Sequence, residues 1–220
     1  MDEIALKNVF FISGLGADNT IFRFLDLSYC KPVFLDWIKP NKLEKLADYA
    51  LRIKEEYHLP DNAIIVGQSF GGVLTTEIAR AFPQVKAIIL ASVKSFSELP
   101  RFYSKGKYFS IHRFVPPFFQ RKYMLHLRKK FGLHTPEYIK IYERIVSNTD
   151  FYFNNWAVSA LLRWEHKTAP HNVTHIHGSD DKMFPIKYVR PDFTVQGGGH
   201  LMVMEHASIV SAHLKTLISA

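Results

Sequence analysis

Residues 67–72 read Gly-Gln-Ser-Phe-Gly-Gly. Ser69 stands between small residues, directly after the apolar run Ala63–Val66 and directly before VLTTEIARAF, which has the spacing of a helix. A tight turn from strand to helix forces its central residue into a strained backbone conformation and can hold a hydroxyl out for attack. The same glycines would also serve plain close packing of a helix on a strand. A serine hydroxyl is a weak nucleophile at neutral pH, so the chemical reading requires a base and an orienting acid elsewhere. Both occur downstream. HGSDDKMFP offers Asp180 and Asp181 on a turn, and QGGGHLMVMEH offers His200 on a glycine loop. In the order Ser, Asp, His, the histidine would take the proton of Ser69. An aspartate would fix the imidazole tautomer and stabilise its cation.

These residues need a scaffold that brings them to one place. Short apolar runs at 8–13, 32–36, 63–68, 85–92, 173–178 and 192–197 have the length and bounding residues of buried strands. Helical spacing lies between them, from Lys42 to Tyr57, from Val73 to Phe82 and from His206 to Ser219. Strands alternating with helices predict an α/β fold, a parallel sheet of six strands wrapped on both faces. Functional residues then belong at the carboxyl ends of the strands. Ser69, the Asp180–Asp181 pair and His200 each follow a predicted strand.

One stretch departs from this alternation. Residues 94–165 carry 17 of the 31 aromatic residues, and 13 Lys and Arg against 5 Asp and Glu, whereas the remainder is balanced at 15 against 15. The formal charge of +8 therefore resides in this segment. Helical spacing in QRKYMLHLRKKF and PEYIKIYERIV, with Thr135-Pro136 as a start signal, predicts a helical cap.

Taken together, GQSFGG, HGSDDKMFP and GGGH resemble the nucleophile elbow, acid turn and histidine loop of the α/β-hydrolase fold. The resemblance implies a core of residues 1–93 and 166–220 with a helical cap insertion at 94–165. Relatives place the acid four residues after the histidine of an HG-x-x-D pattern, which selects Asp181 over Asp180. The resemblance also implies an oxyanion hole from the backbone amides of Phe70, after the nucleophile, and of Leu15, in the early loop FISGLGADN. This chain departs from the pattern in two places. The early loop reads Ser13-Gly14 where many relatives have His-Gly, and two strands that usually precede the first are not recognisable, which leaves a sheet edge to be covered or paired.

Composition narrows the function classes. At 220 residues, 25.4 kDa and 47% hydrophobic residues, a full single core is expected. A single cysteine, Cys30, excludes an internal disulfide and any multi-cysteine zinc site. His175 and His177 fall on one side of a predicted strand and read as structural histidines, so no metal is expected. GLGADN lacks the lysine of a phosphate loop and the third glycine of a dinucleotide fingerprint, so no cofactor is expected. Asp18 with Thr20 reads as a helix cap and Glu77 as a solvated or paired side chain. Charges spread among apolar residues without a recognition motif argue against nucleic acid. The acidic N-terminus and the lack of a long apolar run predict a cytoplasmic protein without a membrane span.

The expected activity is a serine hydrolase cleaving an ester, thioester or related acyl bond of a small molecule through an acyl-enzyme on Ser69. The basic cap would favour an anionic substrate or carrier. The alternative is a non-catalytic or slow-turnover member of the fold that binds a small molecule or a partner.

Overall fold

Alternate residues of each strand point to opposite faces of a sheet, so a strand buried on both faces must be apolar throughout. The runs IIVG (64–67) and AIIL (87–90) meet that requirement. In the computed structural model, which describes residues 6–100, 103 and 115–219, they form the two central strands of a six-stranded sheet. The strands are β1 (Asn8–Ile12), β2 (Lys31–Leu35), β3 (Ile64–Gln68), β4 (Lys86–Leu90), β5 (Val173–Gly178) and β6 (Phe193–Val195). Their order is β2-β1-β3-β4-β5-β6. Every pairing is parallel, so all strand ends that carry the motifs point to one side of the sheet.

The helices are α1 (Leu46–Glu56), α2 (Phe70–Ala81), α3 (Pro117–His126), α4 (Pro136–Asn148), α5 (Phe151–Leu162), the short α6 (Met202–Glu205) and α7 (Ala207–Ser219). They cover both faces. Phe10, Ile12, Ile65 and Ile89 pack against α1, α2 and α5, whereas Val9, Phe11, Val66, Ile88 and Leu90 pack against α4, α6 and α7. Removing a fully buried Ile or Leu such as Ile65 or Leu90 from water contributes about 2 kcal/mol.

β2 is one edge of the sheet, and its Lys31 and Pro32 are exposed. A lysine and a proline there discourage another strand from pairing. Several helical boundaries differ from those read off the sequence, among them α3, which runs Pro117–His126 where the helical spacing spans 120–131. α1 starts at Leu46 rather than Lys42, because Asn41 N donates to Glu44 Oε2 at 2.7 Å and holds a turn before it. α2 starts earlier, immediately after Ser69. The final helix is interrupted at His206, which caps α6 instead of opening α7.

α5 is the element that periodicity did not reveal. FYFNNWAVSALL has no continuous polar face, since Phe153, Trp156, Ala157, Ala160 and Leu161 all enter the core. Asp150 caps it, accepting from the amides of Tyr152 at 2.8 Å and Phe153 at 3.3 Å. Trp156 Nε1 donates to Glu44 O at 3.0 Å and ties α5 to the approach of α1.

Candidate active site

The turn at Ser69 is shaped by contacts that exclude side chains. A Cβ added at Gly67 would lie 2.4 Å from Gly71 O, and one added at Gly71 would lie 2.3 Å from both Ile12 O and Ser13 O. Backbone therefore crosses backbone at the point where β3 becomes α2, and these positions require glycine. Ser69 itself takes φ +52° and ψ −119°, a conformation that non-glycine residues rarely adopt. Two hydrogen bonds hold it there. Ser69 N donates to Leu90 O at 2.9 Å, and Ser92 Oγ donates to Ser69 O at 2.7 Å.

The strained turn presents the hydroxyl to an imidazole. Ser69 Oγ lies 2.8 Å from His200 Nε2, across 131 residues of sequence. His200 Nδ1 lies 2.8 Å from Asp181 Oδ2, and both side chains are almost fully buried. The other carboxylate oxygen, Oδ1, accepts from the amides of Met183 at 2.7 Å and Phe184 at 2.9 Å. Burial alone would raise the Asp181 carboxyl; the charge and hydrogen bond of His200, with help from His177 and the Phe184 amide, overcome it and leave the group below the usual carboxylate value. An ionised Asp181 accepts a hydrogen bond from Nδ1–H, which keeps the proton on that nitrogen and leaves Nε2 free to accept from the serine hydroxyl. Asp180 points elsewhere. It is exposed and accepts from Ser179 Oγ at 2.7 Å.

Three supporting contacts escaped the sequence reading. Gln68, buried within the GQSFGG motif, donates from Nε2 to His200 O at 3.2 Å and ties the histidine loop to the elbow. Phe131 stacks on the His200 ring with centroids 5.3 Å apart. His177, fully buried on β5, lies 2.8 Å from Phe184 O through Nε2, while its Nδ1 lies 3.0 Å from His175 Nε2. His177 thereby secures the turn whose amides hold Asp181. The sequence hint was its place in the HG-x-x-D pattern, where it served only to count forward to the acid. His175 Nδ1 has no hydrogen-bond partner among the described residues, so the expectation of two satisfied histidines holds for His177 and only in part for His175. Glu77 is paired rather than solvated, accepting from Trp164 Nε1 at 2.9 Å and lying 2.9 Å from His166 Nδ1.

Above Ser69 and His200 opens a cavity of about 680 Å³. Its walls include Leu15, Phe70, Val73, Phe119, Val158 and Leu161, and none of its described lining residues is Lys, Arg, Asp or Glu. Leu15 and Phe70, the residues whose amides the resemblance singles out, both line it beside Ser69. Phe70 opens α2, and amides in a helix's first turn have no intrahelical acceptor. Among the described aromatic residues of 94–165, Phe119, Tyr123 and Phe131 line the cavity, Phe153, Trp156 and Trp164 lie in the main core, and Phe118 and Tyr152 are exposed.

The family model described as "Alpha/beta hydrolase family" matches residues 9–212. The chain belongs to the alpha/beta hydrolase family. Solved structures share the fold of this alpha/beta hydrolase at low identity. The bromoperoxidase from Bacillus anthracis is 13% identical with a TM-score of 0.70, over 98% of this chain and 93% of its own. A thermophilic esterase from Thermogutta terrifontis is 15% identical with a TM-score of 0.72, over 97% and 89%. The enol-lactonase from Burkholderia xenovorans LB400 is 10% identical with a TM-score of 0.73, over 100% and 94%. By sequence, the alpha/beta hydrolase matches no curated protein. No helix among the described residues is long and apolar enough to cross a membrane.

Proposed function

We propose that this alpha/beta hydrolase is a serine carboxylesterase acting on esters or thioesters with an uncharged, apolar acyl portion. The observation that carries this reading is the unbroken contact from Ser69 Oγ through His200 to Asp181 at the floor of an apolar cavity. Ser69 Oγ attacks the carbonyl carbon while its proton passes to His200 Nε2. The carbonyl oxygen becomes an oxyanion that the amides of Leu15 and Phe70 receive. Asp181 stabilises the imidazolium. Collapse of the tetrahedral species breaks the bond to the leaving oxygen or sulfur, which takes the proton from His200. Water then gives a proton to His200 and attacks the acyl-enzyme, releasing a carboxylic acid and restoring Ser69.

The lining supports the substrate class. A cavity of this size fits a small-molecule ligand, and burying a charged acyl group among Phe70, Val73, Val158 and Leu161 without a partner would be costly. Residues 94–165 act as the cap that completes this wall. The test is hydrolysis of nitrophenyl esters by the parent protein and by Ser69→Ala. The parent should show turnover through an acyl-enzyme, and the variant should lose several orders of magnitude in kcat. Undiminished turnover in the variant would refute the assignment.

A further inference from the structure

Helix α3 is turned inside out. The residue of this helix that is buried is its glutamine, Gln120, which donates from Nε2 to Val115 O at 2.7 Å and accepts from Asn154 Nδ2 at 3.2 Å. Apart from Met124, which packs toward the core, its large apolar side chains are exposed, Phe118 by 71%, Tyr123 by 61% and Phe119 by 58%, the three highest values for large hydrophobic residues among those described. Leu125 joins them. A helix on the surface of a water-soluble domain has the opposite pattern. A clustered apolar face of this kind marks a surface that meets something else.

The charges on the same surface indicate what that is. Arg121 and Lys122 lie exposed on α3, the helix carries no acidic residue, and Lys130 is exposed shortly after it. They belong to the segment that holds the protein's whole excess of positive charge. Aromatic side chains interleaved with lysine and arginine suit the boundary of an anionic bilayer, where rings enter the interface and cations meet lipid phosphates. A soluble acidic protein would match the charge but not the outward phenylalanines. Phe119 and Tyr123 also line the cavity, so this surface is continuous with the cavity mouth.

We propose that α3 docks the protein onto an anionic lipid surface with the cavity mouth turned toward the bilayer. Docking stands on the α3 surface alone. Delivery of an apolar ester from the bilayer to Ser69 rests in addition on the function proposed above.

The experiment is co-sedimentation of the Ser69→Ala protein with vesicles of phosphatidylcholine alone, or with phosphatidylglycerol at about one lipid in three. Binding should be roughly tenfold stronger to the anionic vesicles and should weaken as salt is added. Phe118→Asp with Leu125→Asp, or separately Lys122→Glu, should each lower that binding roughly tenfold. The same substitutions with Ser69 intact should leave hydrolysis of a water-soluble short-chain ester unchanged, since none of the three residues lines the cavity. Equal binding to both vesicle types, or binding that ignores all these substitutions, would overturn the proposal. So would a dimer in sedimentation velocity that Phe118→Asp dissociates, without vesicle binding, because the face would then belong to a second copy. Vesicle binding without esterase activity in the parent would instead overturn the proposed function and leave docking intact.

Discussion

Asp181 Oδ2 meets His200 Nδ1 at 2.8 Å, while the neighbouring carboxylate of Asp180 turns outward to Ser179. Two adjacent aspartates thus have separate surroundings. Asp181→Asn should reduce kcat by about four orders of magnitude, because an amide favours the wrong imidazole tautomer. Asp180→Asn should change it less than about threefold, as expected for an exposed side chain. Steady-state kinetics on one ester decides the matter, and equal losses in both variants would count against the role of Asp181.

The elbow makes a prediction about stability. In Gly71→Ala the new methyl would meet Ile12 O and Ser13 O at 2.3 Å, both backbone atoms that cannot swing aside as a side chain would. We expect a loss of about 3 kcal/mol or more in urea denaturation, from overpacking and forced backbone movement. A loss under about 1 kcal/mol would mean that the crossing of β1 and α2 is looser than described.

Most of the sheet was legible in the sequence. β1, β3, β4 and β5 are short apolar runs bounded by turn residues, and the motifs fall at the ends of β3, β5 and β6 as expected of a parallel sheet. α5 was not legible, because periodicity detects a contrast between faces and FYFNNWAVSALL has little. The supporting contacts of the site were hidden for a different reason. The Gln68–His200 and Phe131–His200 contacts span 132 and 69 residues respectively, and only the folded chain brings such partners together. The choice of Asp181 came from a family pattern; in the structure the two aspartates differ in that Asp181 reaches His200 Nδ1 and Asp180 does not.

The paired histidines on β5 should make stability depend on pH. Burial, followed by the neighbouring His177 and Lys94, holds His175 well below the ordinary histidine value; burial also lowers His177, against the pull of Asp181 and Phe184 O. An imidazole depressed in the folded state gains its proton in the unfolded chain first. Stability is therefore complete above the ordinary value near 6.5 and falls as pH drops from there toward the folded value. Each such proton contributes a slope of up to about 1.4 kcal/mol per pH unit. Denaturant titrations at successive pH values should show a shallower slope in His175→Leu than in the parent. Parallel slopes would remove His175 from the account.

Cavity shape should control acyl-chain length. Val158 on α5 lines the wall, and Val158→Trp would fill part of the space without touching Ser69, His200 or Asp181 in their hydrogen bonds. We expect kcat/KM for a long-chain nitrophenyl ester to fall about tenfold or more while that for the acetate ester changes little, since each excluded methylene forfeits about 1 kcal/mol. Equal losses on both substrates would place acyl binding outside this cavity.

The most direct measurement is covalent labelling with a fluorophosphonate, read by intact mass and by peptide mapping. An activated Ser69 should gain one phosphonyl adduct on the peptide containing GQSFGG, and Ser69→Ala should gain none while keeping its far-ultraviolet circular dichroism. Absence of any adduct on the folded parent, or an adduct of equal yield in Ser69→Ala, would contradict the assignment of Ser69 as the nucleophile.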